Sequence, residues 1–145
     1  MKAWKHMTPR ERDALIAEKV LRIPILVYIG DKHPHQGDHQ WLDDPANYPH
    51  ITDNGKHLSY WHEPDTDGVA WSPSADIGAA FLVIHHMREL GWSYAIYDFH
   101  KVESGRNLGD HLVCFINHSG SPAVNGHTLE DTICRAALRA LGALP

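Results

Sequence analysis

The chain has 145 residues, 43% of them apolar and 21% charged, with a formal net charge of −5 when the histidines are neutral. This is the composition of an ordinary globular domain, long enough to bury a core without a metal or disulfide staple. The acidic balance weighs against general nucleic-acid binding, which needs a cationic surface to release counterions, and none is expected. No apolar run approaches the ~20 residues that cross a bilayer, so no membrane partner is expected.

The N-terminal stretch MKAWKHMTPRERDALIAEKV lacks the apolar core of a secretory signal, which sets the expectation of a protein in the cytoplasm of its host cell. Thr8, Pro9 and Glu11 open the first helix: a capping hydroxyl, a proline suited to the first turn, and a carboxylate where a capping box wants it. Ile16, Ala17, Val20 and Leu21 form its apolar face, and Pro24 stops it, since the residue before a proline avoids helical angles. The run Ile25–Ile29 predicts a strand.

Residues 30–73 are of another kind, rich in Pro, Gly, Asp, Asn and His, with Trp41, Trp61 and Trp71 among them. We read them as a loop-rich insert carrying one strand at His57–His62, after the Asp53-Asn54-Gly55 turn signal. Two candidate sites lie here. Trp41, Tyr60, Trp61 and Trp71 offer flat aromatic surfaces that suit a planar small molecule or a protein partner. His33, His35 and His39 place three imidazoles within seven residues, a donor set for Zn or Ni, although no HExxH or CxxC pattern accompanies it.

Ser74–Leu90 predicts the central helix. Ser74 is placed to cap it, Asp76 favours its positive end, and Ile77, Ala80, Phe81, Ile84 and Met87 recur at helical spacing. Gly91 is suited to end it in a left-handed conformation. Strands follow at Trp92–Phe99 and Asp110–Asn117, the second apolar enough to expect burial on both faces, and residues 118–126 read as loop. Thr128 is placed to cap a last helix with Leu129, Ile133, Ala136, Ala137 and Ala140 inside. The neighbours His85 and His86 point about 100° apart on their helix and cannot share one metal. Cys114 and Cys134 lie in apolar contexts, where reduced thiols are expected rather than a disulfide or a nucleophile. The thirteen histidines run from His6 to His127 without forming a tag.

This order of elements predicts an α/β (α+β) protein, a three-layer α-β-α sandwich with helices on both faces of a small, mainly antiparallel sheet. We expect one domain over 1–145 with the insert at 30–73. No G-x-S-x-G elbow, phosphate loop or dinucleotide fingerprint is present, and no catalytic set emerges.

Three segments, ERDALIAEKV (Glu11–Val20), SADIGAAFLVIHHMRELGW (Ser74–Trp92) and DTICRAALRALG (Asp131–Gly142), resemble the phage ABA sandwich domain proteins. Similar proteins carry an R-E-L-D-A-L-V-A-E-K-V helix, a Y-S-T-D-I-A-A-A-W segment and an A-I-C-R-A-A-L helix. Here Phe81 stands where tryptophan is common. The resemblance implies a layered fold and a phage or prophage origin, and brings no catalytic residues. Together with the absence of a recognisable catalytic set, it sets the expectation of a non-enzymatic accessory protein that acts by binding. The rival expectations are metal-dependent chemistry at the His33/His35/His39 cluster and sequestration of a host defence nucleotide. A homodimer is a further expectation.

Overall fold

The computed structural model describes residues 2–22, 25–28, 34–36, 48–52, 57–61, 69–70, 72–98 and 110–145, the strands between 25 and 70 by their backbone course. The chain divides into two compact units, Met1–Ser72 and Pro73–Pro145.

The first unit opens with helix α1 (Pro9–Ile16), begun by the expected capping box. The Thr8 hydroxyl accepts the Glu11 amide at 3.2 Å and the Glu11 carboxylate accepts the Thr8 amide at 2.7 Å. Lys2 holds the same carboxylate at 2.9 Å, and the Arg12 guanidinium lies 5.1 Å from the centre of the Trp4 ring. The helix widens into a π turn over Ala17–Leu21 and stops at Arg22, whose φ of 55° is left-handed. Ile16, Ala17 and Val20 are fully buried, as the apolar spacing predicts. Asp13 is fully buried beside them and accepts the Ser72 hydroxyl at 2.9 Å.

A five-stranded sheet follows: β1 (Ile25–Tyr28), β2 (Pro34–Gln36), β3 (Tyr48–Thr52), β4 (His57–Trp61) and β5 (Val69–Ala70), in the order β2-β1-β4-β3-β5. β1 and β4 run parallel and the other neighbours antiparallel. The expected strands at 25–29 and 57–62 are present. The stretch read as loop holds three strands more, too short and too interrupted by proline and histidine to show a period.

The second unit is built from α2 (Ile77–Glu89), β6 (Ser93–Asp98), β7 (His111–Ile116), β8 (Ala123–Gly126) and α3 (Leu129–Ala140). The strands form an antiparallel sheet in the order β6-β7-β8. Helix α2 runs against α3 and β6, and α3 lies on β7 and β8. Val113, Phe115, Ile133, Ala136, Ala137 and Leu138 are fully buried here. Gly91 ends α2 with a φ of 93°, the left-handed residue expected there.

Several local expectations are corrected. Asp76, not Ser74, is the N-cap of α2, and its carboxylate accepts the Ala79 amide at 2.8 Å. The buried face of α2 is Ala79, Ala80, Val83, Ile84 and Met87, whereas Ile77 and Phe81 are 42% and 44% exposed. Thr128 occupies the cap position of α3 but its side chain makes no cap bond. Its carbonyl instead accepts the Thr132 hydroxyl. β7 alternates: Val113 and Phe115 are buried, Leu112 and Cys114 are half-buried and Ile116 is exposed, so only one of its faces meets the core. Residues 123–126, read as loop, are the third strand. Neither cysteine is in a disulfide; Cys134 is buried and Cys114 half-buried.

Candidate functional site

Of the aromatic set, Tyr60 and Trp61 lie on β4, while Trp41 and Trp71 fall outside the described residues. β4 has a strand on each side, so its course is fixed by pairing. Tyr60 stands in register with Pro49 and Val27, and Trp61 with Tyr48. Of the histidine cluster, His35 lies on β2, and His33 and His39 fall outside the described residues. His35 is in register with Val27. His35, Val27 and Tyr60 therefore share one level across β2, β1 and β4, a backbone relation that sequence spacing does not show.

The second unit contributes an arrangement that only register reveals. Asp98 and His111 are cross-strand partners at one end of β6 and β7, with His111 Nδ1 2.6 Å from the Asp98 carboxylate. One residue further out, His127 Nδ1 lies 3.8 Å from Asp110. A carboxylate at Nδ1 fixes the ring and leaves Nε2 free to accept a proton or a ligand. Among the described residues no group of three His, Cys, Asp or Glu side chains converges to hold a metal. The arrangement therefore amounts to one oriented imidazole, His111, with His127 nearby but too far from Asp110 for a hydrogen bond.

The third feature is the outer side of α2. From Ile77 to Met87 the helix carries no Asp, Glu, Lys or Arg. A helix apolar all round is ordinarily buried all round. Here Ile77, Phe81 and Leu82 are 42%, 44% and 56% exposed. The polar groups of this side gather at its C-terminal end, where His85 and His86 approach Glu89 at 3.2 and 3.7 Å. His85 is open to solvent and His86 largely covered, in keeping with their divergence on the helix.

The last feature is the treatment of the sheet's two edges. At β8, Arg135 donates to the Asn125 carbonyl at 3.1 Å and Arg139 to the Ala123 carbonyl at 3.3 Å. These two carbonyls are the ones that β8 turns away from β7. The alternate ones, Gly126 and Pro122, accept amides from the β7 side. One helix thus closes the edge of the sheet it covers.

No described helix is long and apolar enough to cross a membrane. No curated protein matches the chain. A phage protein from Bacillus cereus ATCC 14579, known from a 2.0 Å crystal structure, has the same fold with a TM-score of 0.57. The likeness covers 100% of this chain and 97% of that one at 16% identity. The phage ABA sandwich domain matches residues 14–138, a span from α1 to α3. With its helices packed on mainly antiparallel sheet, the chain has the α+β fold expected from its sequence, and it belongs to the phage ABA sandwich domain family.

Proposed function

We propose that this member of a phage family is an accessory protein that acts by binding a protein partner and performs no catalysis. The observation that carries this reading is the outer side of α2, where Ile77, Phe81 and Leu82 stay 42–56% exposed on a helix without a charge before Arg88. Exposed apolar side chains gathered on one element, rimmed by polar groups, are the mark of an interaction surface. The test is recovery of host and phage proteins from phage-infected cells on immobilised wild type and on a Phe81→Ser, Leu82→Lys double variant. A partner held by the wild type and lost by the variant supports the reading. An identical set retained by both overturns it.

A second reading is a small-molecule site in the segment 30–73, with side chains of the set Trp41, Tyr60, Trp61 and Trp71 stacking on a planar ligand such as a nucleotide defence signal; successive residues of a strand alternate between faces, so Tyr60 and Trp61 of β4 do not share one face. It is favoured by the shared level of His35, Val27 and Tyr60. A thermal-shift screen of nucleotides on wild type, on Tyr60→Ala and on Trp61→Ala tests it, the two variants probing the two faces of β4. A ligand at about 100 times its dissociation constant stabilises by about 2.7 kcal/mol, and a variant loses that shift if its replaced residue is part of the site. Elemental analysis of untagged protein, with and without substitutions at His33 and His35, tests the Zn or Ni alternative.

A further inference from the structure

The two edges of the β6-β7-β8 sheet are treated unequally. The β8 edge is closed by Arg135 and Arg139. β6 has one neighbouring strand among the described residues, β7. It is six residues long, SYAIYD, with no proline and no lysine to blunt it. Its exposure is high: Tyr94 is 39% exposed and Tyr97 54%. A long, exposed, apolar edge strand is a template for pairing with another chain, and proteins ordinarily disarm it unless it is used.

The register says which backbone groups are on offer. Phe115 donates its amide to Pro122, on the β8 side. Backbone groups alternate along an antiparallel strand, so Phe115 and Val113 bond towards β8, while Cys114 and Leu112 bond towards β6. Their partners on β6 are Ala95 and Tyr97, whose amides and carbonyls turn inward. Tyr94, Ile96 and Asp98 therefore turn theirs away from β7, to the side on which no strand lies among the described residues.

We propose that β6 is a dimerisation edge, where two copies pair β6 with β6 antiparallel about a two-fold axis through Ile96 and join their three-stranded sheets into one. This centre is chosen by the backbone, because Ile96 is the middle residue of the outward-turned set. It matches Tyr94 of each copy with Asp98 of the other and Ala95 with Tyr97, keeping like faces together. A second copy suits this edge because the strand complements itself. Its one charge, Asp98, sits at the end, and the two-fold sets it opposite a tyrosine rather than opposite its own copy. An isologous contact of this kind closes at two copies.

The test is sedimentation equilibrium of the full chain across a wide concentration series, on wild type and three variants. Tyr97→Lys puts a charge on the joint at a position more than half exposed. Tyr94→Pro removes an outward amide without taking a bond from the β6-β7 ladder. Leu82→Lys alters the outer side of α2 and leaves β6 untouched. Wild type and Leu82→Lys are expected to reach twice the chain mass of 16.3 kDa, and both β6 variants to stay at 16.3 kDa with wild-type circular dichroism. A wild type that remains monomeric at the highest concentration overturns the inference, and so does a dimer that Leu82→Lys dissociates and Tyr97→Lys does not. The partner reading of α2 stands or falls separately, on the recovery experiment.

Discussion

Gly126 ends β8 directly beneath Thr132 of α3, so close that a Cβ at Gly126 would fall on the Thr132 hydroxyl. Thr132 is fully buried, and its hydroxyl is tied to the Thr128 carbonyl one turn back. The helix can rest on the sheet at this point because the strand offers no side chain there. Gly126→Ala would ordinarily gain a few tenths of a kcal/mol by restricting the unfolded chain. Here the contact reverses the sign, and a loss of about 1–3 kcal/mol is expected in urea unfolding, the range for overpacked sites. Thr132→Ala in the same chain should return most of it, since the Thr128 carbonyl keeps the Thr132 amide as a donor. Equal losses in the single and double variants would show that the clash is not the cause.

The start of α2 provides a second prediction. The Asp76 carboxylate accepts the Ala79 amide, one of the donors that a helix leaves unpaired in its first turn. Asp76→Ala should cost about 1 kcal/mol, whereas Asp76→Asn, which keeps the acceptor, should cost a fraction of that. Thermal unfolding of the two variants side by side decides whether the cap or the charge matters.

The sequence announced the three helices because each is opened or closed by local chemistry. Thr8 with Glu11, Asp76 with Gly91, and the apolar spacing of α3 lie within a few residues of what they control. The face of α2 differs from its sequence expectation for a physical reason: a helix with no charged residue from Ile77 to Met87 has no charged stripe to mark its outside. The structure turns the smaller Ala79 and Ala80 inward and leaves Phe81 out. β8 carries no strand signal because Val124 is its one large apolar residue. The five-stranded sheet depends on a parallel pairing of β1 with β4, a non-local choice that no turn between neighbours encodes. The candidate sites were legible as residue types only. His111 and Asp98 are thirteen residues apart in sequence, and nothing but register brings them together.

The sealed edge leads to a third prediction. Arg135 and Arg139 are one turn apart on α3, and each gives a hydrogen bond to a carbonyl that β8 would otherwise show to solvent. Bonds to such exposed carbonyls contribute little to stability, so Arg135→Ala and Arg139→Ala should each cost about 0.5–1.5 kcal/mol or less. The larger effect is on association. With both arginines replaced, the β8 edge becomes a second template, and the double variant should form heavier species by light scattering at concentrations where the wild type does not. A double variant as monodisperse as the wild type would assign the two arginines to solvation alone.

Glu11 carries the pH dependence that the structure supports. Burial raises its carboxyl pKa, but the hydrogen bonds from Lys2 and the Thr8 amide, the charge of Lys2 and the Thr8 hydroxyl outweigh this and hold it below its ordinary value of 4.5. A group whose pKa is lower folded than unfolded binds fewer protons in the folded state. Its contribution to stability is complete above about pH 4.5 and is lost as the pH falls through the depressed value. Glu11→Gln keeps an acceptor for the Thr8 amide and removes the charge. The wild type should therefore exceed the variant by up to about 1 kcal/mol at neutral pH, as half-exposed ion pairs do. That margin should stay level down to the ordinary glutamate range and shrink below it. Urea unfolding of both proteins from neutral pH down to about pH 3 measures the margin directly. The absence of any margin at neutral pH would mean that the capping bond, which glutamine also makes, and not the ionised carboxylate, is what Glu11 supplies.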